Sequence, residues 1–580
     1  MSLSPSSPEV AGLSPLEPSI LYALVDYPDD YVQPLMIRAL KLLLPTVAFE
    51  LITSLEQAMG KGTTDDDDGG GGDDDDDDNK SSNQPRKSAP VHAAKHISGS
   101  TSMSCSTLSA SLRLFQFRSY ESVDFSHALK HPDSSLVCAY AIRKALIRKH
   151  FLSSTIETWV TKKRTGAGGR SEKPEGEKPE PGSPLERHVK ASVHFELDYA
   201  EFLDEALVDA WDLIESLERN QRLQLEDQSR SQRGDTQEKS RERIEWWILK
   251  PGMSDGGNGI RLFSSMEELK EIFEEWEEEE QEEGEADDED GGDVEQERSA
   301  AGPQIDSTDR IVTSQLRHFI AQPYIDPPLL LSSMGDRKFH LRLYVLAVGA
   351  LKVYVYREIL ALFAAERYRS PSSRPYRQQA CSGEESDPAG DRGIDMAPHL
   401  TNTCLQTNDA WTTEAVDTTE MGAKARVKRF WGLDNFRSTT TITDTNDITT
   451  APPIEPLPQD WKTQVFQQIC QITGDLFEAA AREQPIHFQP LPNAFEIFGV
   501  DFLVDAACHV WLLEVNAFPD FRQTGAQLRE EVIGELFKEV VRKAVRPFFG
   551  WDQDGEEDNG NKQGDSEPMV LVRELDLGRR

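Results

Sequence analysis

Cysteine is scarce in this chain, with six in 580 residues, at positions 105, 138, 381, 404, 470 and 508. None forms a CxxC pair and the spacing is irregular, which argues against a structural zinc site or a disulfide framework and suits a reducing compartment. Long apolar runs are missing too. No stretch of 18 apolar residues occurs, so no membrane-spanning helix is expected. The opening MSLSPSSPEV has neither the charged start nor the apolar core of a secretory leader, and a cytoplasmic location is expected. Positive charge is in deficit: 62 Lys and Arg stand against 102 Asp and Glu, a formal net charge of -40. Such a surface repels a phosphate backbone, so direct nucleic-acid binding is not expected. Hydrophobic residues make up 37%, below the ~45–50% usual for a globular chain.

The shortfall is local. Acidic blocks at 65–78 (DDDDGGGGDDDDDD), 274–293 and 552–565 repel themselves and are expected to be disordered, solvated insertions. Setting aside the biased tracts 61–104, 165–184, 221–240, 277–304, 368–395, 407–455 and 552–580 leaves roughly 350 residues, more than the ~100–200 of one domain. The expected organisation is an N-terminal subdomain over 15–160, a central one over 185–345, a C-terminal one over 346–550 and an acidic tail over 551–580.

What remains alternates strands with amphipathic helices. ILYALVDY reads as a strand leading to a helix; LRLFQFRSYESVDF (112–125) follows, and then 135–152, a segment with helical spacing of apolar residues. WWILKP (246–251) and FIAQPYI (319–325) are strands around a helix at 265–276. KFHLRLYVLAVG with ALKVYVYREILALF is a hairpin turning near Gly349. A helix over 460–483 precedes a second hairpin, FEIFGVDFLVDAACHVWLLEVNAF, and a closing helix spans about 526–546. Mixed strands with long helices indicate an α/β (α+β) fold.

Three elements carry candidate chemistry. In the second hairpin a turn near Asp505–His509 sets Asp501 opposite Glu514, and residues directly opposite in an antiparallel pair share a face. Asn516 joins that face at i+2, while Trp511, Leu513 and Val515 are expected to point the other way. Two carboxylates and an amide offer hard oxygens suited to Mg²⁺; the same pattern also suits a solvated face with two incidental acids. Lys338, His340 and Arg342 alternate with apolar residues, a stripe that can clamp phosphate or carboxylate or simply face water. KPGMSDGGNG (250–259) follows a strand directly, and its glycines let backbone N–H groups approach phosphates beside Lys250. It matches neither the Walker pattern nor GxGxxG.

Taken together, the strings WWILKPGMSDGGNGI, AQPYIDPPLLL, RKFHLRLYVL, VYVYRE, HLTNTCLQ and FEIFGVDFLVD…VWLLEVNAFP resemble the tubulin–tyrosine ligase family of the ATP-grasp superfamily. The resemblance implies an ATP-grasp fold that uses ATP and Mg²⁺ to join an amino acid to a protein carboxylate through an acyl phosphate. It implies Lys144 and Lys250 as phosphate-holding lysines, Gly256 and Gly257 in a flexible loop, and Gln322, Pro323, Tyr324 and Ile325 as an adenine hinge. Lys338, His340, Arg342, Thr401 and Asn402 would line the phosphates, with Lys338, Arg342 and Asn402 acting in catalysis. Asp501, Glu514 and Asn516 would hold the metal.

Three positions depart from the family pattern. Pro323 stands where Lys or Arg is usual, His340 replaces the Asp of KFDLR, and Leu362 falls where YREGVLR places an arginine. The last leaves the transferred amino acid open. The default acceptor is a tubulin tail. The IRKALIRKHFL string and the acidic inserts are similar to a fungal, P-body-associated subgroup. That likeness implies mRNA-decapping factors as partners and a scaffold role as the alternative to ligation.

Overall fold

The computed structural model describes residues 20–45, 49–54, 57, 112–167, 182–233, 243–252, 254, 257–288, 316–372, 394–401, 426–438, 454–551 and 567–578. At the N-terminal end β1 (Leu21–Asp26), β2 (Phe49–Ile52), β3 (Arg113–Arg118) and β4 (Ser135–Val137) form a parallel sheet ordered β2-β1-β3-β4. Helix α1 (Gln33–Leu43) crosses between β1 and β2 and buries Leu35, Met36, Ala39 and Leu40, one stripe of a 3.6-residue period. After β4 a short helix at Lys144–Ile147 leads into α2 (Lys149–Ala167). The helical pattern expected over 135–152 is thus corrected at its start. Ser135–Val137 is strand because it completes the ladder beside β3.

The central part holds β5 (Val193–Glu196), α3 (Trp211–Arg233), β6 (Trp247–Pro251), β7 (Arg261–Phe263), α4 (Met266–Asp288) and β8 (His318–Pro323). Its antiparallel sheet runs β5-β8-β6-β7 and has a core of its own, built on Phe195, Leu249, Phe273, Trp276 and Phe319. Helix α3 reaches Arg233 and α4 reaches Asp288, so both continue into tracts expected to be disordered. Glu-, Gln- and Arg-rich sequence has high helix propensity and simply prolongs each helix.

The C-terminal part comprises β9 (Phe339–Val348), β10 (Lys352–Tyr356), β11 (Leu360–Phe363), β12 (Val427–Arg429), β13 (Phe436–Ser438), β14 (Ile454–Pro456), α5 (Trp461–Glu483), β15 (Phe495–Val504), β16 (Val510–Ala517) and β17 (Met569–Glu574). Strand β9 is its spine. β15 pairs along it on one side, while β10 and β11 share the other. The next layer outward is β16 on β15, β12 on β11 and β17 on β10. The N-terminal and C-terminal sheets share one apolar core, separate from that of the central sheet. A subdomain boundary at 345/346 therefore cuts through β9; the change of sheet comes earlier, after β8.

Two tracts expected to be solvated contain ordered pieces. Within 407–455, β12 pairs with β11, and Phe430 and Leu433 are buried in the main core. Within the expected acidic tail, β17 closes the edge of β10 and buries Met569. Alternation in MVLVRE outweighs the acidic composition around it. Among the described residues no helix is long and apolar enough to cross a membrane.

Candidate functional site

The register of the C-terminal sheet builds one wall of a cleft. Arg342 on β9 lies opposite Asp501 on β15, and Asp501 lies opposite Glu514 on β16. Cross-strand partners share a face, so three charged side chains form a row across three strands. Arg342 grips both oxygens of Asp501: Nε donates to Oδ1, and Nη2 donates to Oδ2 at 2.9 Å. Asn516 Nδ2 donates to Glu514 Oε1 at 3.2 Å and approaches Asp501 Oδ2 at 3.5 Å. The hairpin face read from spacing thus does bring Asp501, Glu514 and Asn516 together. Gly499, opposite Asn516, leaves room for this packing, since a Cβ there would sit 2.6 Å from the Pro519 ring.

A β-bulge changes what else shares that face. The ladder slips between Asp501 and Phe502, pairing Asp501 with Glu514 but Leu503 with Trp511. An extra residue in one strand redirects the side chains beyond it. Leu513 therefore lines the cleft, and Trp511 sits across from the cleft-lining Leu503. Both corrections overturn the expectation that Trp511 and Leu513 face away. Val515, as expected, turns into the core.

The opposite wall comes from the central sheet and the segment entering β9. The cleft is lined by Ile248, Lys250, Ile260, Gln322–Ile325, Lys338, His340, His399–Thr401, Asp501, Leu503, Leu513 and Glu514. Lys250 Nζ donates to Gln322 Oε1 at 3.1 Å, and the Gln322 amide donates to Ser192 Oγ at 2.8 Å. Lys338 Nζ donates to the Tyr324 hydroxyl at 2.9 Å, and that oxygen lies 3.0 Å from His399 Nδ1. His340 Nδ1 lies 2.6 Å from Thr401 Oγ1, with Nε2 3.8 Å from Asp501 Oδ1.

Electrostatics separate the groups. Burial, reinforced by Lys250, pushes the Lys338 ammonium down to about 7. Burial, with Lys149 adding to it, pushes Lys250 down to about 8 against the pull of Glu514 and Asp501. Burial opposes ionisation of Glu514, but Lys149, Lys250, the Asn516 amide and Arg342 outweigh it and hold the carboxyl at about 2. Burial lowers His340, so the ring is neutral near pH 7, and lowers His399 to about 3. Arg342 is also buried, yet Asp501 holds its guanidinium charged, above the usual range.

Several residues sit elsewhere than expected. Lys144 is exposed and does not line the cleft. The neighbouring Arg-Lys step ends in Lys149, at the first turn of α2, and its Nζ donates to Ser254 O in the glycine-rich loop at 3.0 Å. The order of two similar dipeptides carries no sign of which one begins the long helix; the helix start itself was the signal. Gly257 lies in that loop with φ of 91°, a value that favours glycine. Gly256 and Asn402 lie outside the described residues. Arg342 does not line the cleft; it is occupied by Asp501. Sequence reasoning also missed His399 and the apolar pair Ile248 and Leu503, which spacing alone cannot assign to a cleft.

A sequence model of the tubulin-tyrosine ligase family matches residues 209–454 and 455–552. A probable tubulin–tyrosine ligase of Schizosaccharomyces pombe is 37% identical over 471 residues, covering 81% of this chain and 90% of that protein. The probable tubulin–tyrosine ligase PBY1 of Saccharomyces cerevisiae is 36% identical over 465 residues, covering 80% of this chain and 49% of that longer protein. Among solved structures, the C-terminal domain of K. lactis Pby1 superposes with a TM-score of 0.52 and 27% identity, covering 96% of this chain and 99% of that domain. That domain is described as an ATP-grasp enzyme interacting with the mRNA decapping enzyme Dcp2.

Proposed function

This chain belongs to the tubulin–tyrosine ligase family and has the ATP-grasp fold, and from that premise we propose that it is a Mg²⁺- and ATP-dependent carboxylate–amine ligase. The observation that carries the reading is one cleft lined by Asp501 and an ionised Glu514, which Asn516 holds by a hydrogen bond, on one side and by Lys250 and Lys338 on the other. Gln322, Pro323, Tyr324 and Ile325 would meet the adenine, between Ile248 and the Leu503–Leu513 side. Lys250, Lys338 and Lys149 would hold the phosphates, with Gly257 in the loop over them and Thr401 held by His340 at the γ-phosphate end.

The donor set fits Mg²⁺. Glu514 is held ionised, Asp501 keeps lone pairs beyond those that accept from Arg342, and Asn516 adds an amide, all hard oxygen donors. Bound there, the ion would neutralise charge that develops on the transferring phosphoryl group. Arg342 acts by fixing Asp501, and so positions a ligand without touching substrate. In the reaction an acceptor carboxylate oxygen attacks the γ-phosphorus and ADP leaves. The amine nitrogen then attacks the acyl carbon, the phosphate departs with the bonding pair, and the amine proton goes with it. The protein's task is positioning and charge neutralisation.

The acceptor in this reading is a protein carboxylate, with a tubulin tail as the default, as in the names of the yeast relatives. The amine is an amino acid. Incubating the chain with Mg-ATP, a mixture of amino acids and detyrosinated tubulin tests it: mass spectrometry should find an added residue, lost in Glu514→Gln. Absence of both ADP release and tail modification across acceptors sinks ligation. A second reading keeps ATP binding and makes the chain a P-body partner of the decapping machinery, supported by the interaction described for the K. lactis domain. A pull-down with decapping factors that survives Asp501→Asn, together with an inactive acceptor screen, favours that reading.

A further inference from the structure

Residues 199–213 run through a 3-10 turn (Ala200–Phe202), a short helix (Leu203–Ala206) and a turn into the start of α3, and send apolar side chains both inward and outward. One set, Ala200, Leu203, Leu207, Ala210 and Leu213, packs into the core of the central sheet. The other, Tyr199, Phe202, Val208 and Trp211, stands in solvent, with exposures of 53, 44, 60 and 71%. Tyr199 and Phe202 pack edge to face with centroids 6.3 Å apart, so they support each other outside the core. Large apolar side chains left in solvent beside those that the core takes up mark a surface meant to be covered. None of these four residues lines the cleft.

Charge decides what can cover it. Positions 198–212 hold six carboxylates, Asp198, Glu201, Asp204, Glu205, Asp209 and Asp212, and no Lys, Arg or His. Asp198 pairs with Arg317 at 2.7 Å, whereas the other five side chains are exposed around the apolar residues. Such a rim repels nucleic acid, anionic lipid and a second copy of the same surface, and it attracts cations. We infer that this face docks a cationic amphipathic segment of a partner protein. Large apolar side chains of that segment cover Phe202, Val208 and Trp211, while its Lys and Arg meet the acidic rim. Aromatic anchors in an oppositely charged frame are the usual source of affinity in such contacts.

The test uses the full chain and a fluorescent Leu/Lys amphipathic peptide about five helical turns long. Two control peptides carry Ser for Leu or Glu for Lys. Anisotropy should show binding of the first peptide and a loss of at least roughly tenfold in Val208→Ala/Trp211→Ala, since interface anchors dominate binding energy. Both exposed positions lie outside the core, and an unchanged circular dichroism spectrum confirms folding. Equal binding by the variant overturns the inference, because the acidic tracts then adsorb the peptide by charge alone. Equal binding of the Ser peptide or of the Glu peptide overturns it as well. So does a wild-type dimer in sedimentation that the variant dissolves, which makes the face a self-interface.

Discussion

The two walls of the cleft manage charge in opposite ways. On the C-terminal sheet, cation and carboxylate meet in register: Arg342 clasps Asp501, and Asn516 bridges toward Glu514. On the other wall, Lys250 and Lys338 donate to an amide and a hydroxyl, Gln322 and Tyr324, and burial lowers both ammonium groups. A compensated wall is rigid without a ligand. A wall of buried lysines whose ammonium groups are destabilised holds its charge most cheaply when an anion arrives. The comparison teaches that one side of the cleft is built for folding as much as for binding, and the other for binding alone.

That contrast can be broken by mutation. Arg342→Met leaves the Asp501 carboxylate buried without its partner, and urea unfolding should show a loss of about 3–5 kcal/mol. Lys338→Met, equally buried, should leave stability unchanged or raised, because it removes a penalised ammonium. Equal losses in the two variants would erase the distinction between the walls. Glu514→Gln removes one proposed ligand of the cation and should lower Mg²⁺-dependent ADP formation roughly 10²–10³-fold, as removal of a preorganised electrostatic group does. Its folding should weaken at neutral pH, because Lys149 and Lys250 lose the carboxylate they hold ionised, although the glutamine keeps the Asn516 hydrogen bond.

Smaller effects sharpen the lysine wall. Lys149→Met should weaken ADP binding by roughly tenfold, a charge-assisted phosphate contact of about 1.4 kcal/mol, whereas Lys144→Met, at an exposed position, should bind as wild type. Calorimetric titration separates the two; equal affinities would return the role to neither lysine. The pH dependence should have opposite signs for ligand and fold. Folded Lys338 titrates at about 7, below the ~10.4 of an unfolded lysine, so between these values the unfolded chain binds more protons. Stability without nucleotide therefore rises with pH over that window, while ADP affinity falls as Lys338 loses its charge. Lys338→Met should reduce both slopes, leaving the part that Lys250, which titrates at about 8, contributes with the same sign; thermal melts and ADP titrations at pH 6.5 to 9 read the difference.

Much of this was legible in linear order. The hairpin that presents Asp501, Glu514 and Asn516 followed from a two-residue period about a turn, and the ladder has the predicted pairing of Asp501 with Glu514. The alternation of Lys338, His340 and Arg342 likewise announced one polar face of β9. What failed, failed for physical reasons. The bulge after Asp501 inserts one residue, and a single insertion reverses the facing of Trp511 and Leu513. Lys144 and Lys149 occupy nearly identical strings, and only the start of α2 tells them apart. Composition hid β12 and β17, short strands set in biased tracts, which pair with the edges of β11 and β10 and bury Val427 and Met569.

By itself, then, the sequence determined the periodicities: which segments are strands or helices, which side chains alternate, and where glycine permits a loop. Those are local properties, set by the geometry of one chain segment. Only the tertiary structure decided that β15 lies along β9 in the register that sets Arg342 against Asp501. Positions 342 and 501 are far apart in the chain, and no local pattern encodes their pairing. The burial that lowers Lys338 and Lys250 is likewise a property of the assembled cleft, since desolvation depends on what surrounds a charge and not on which residues flank it.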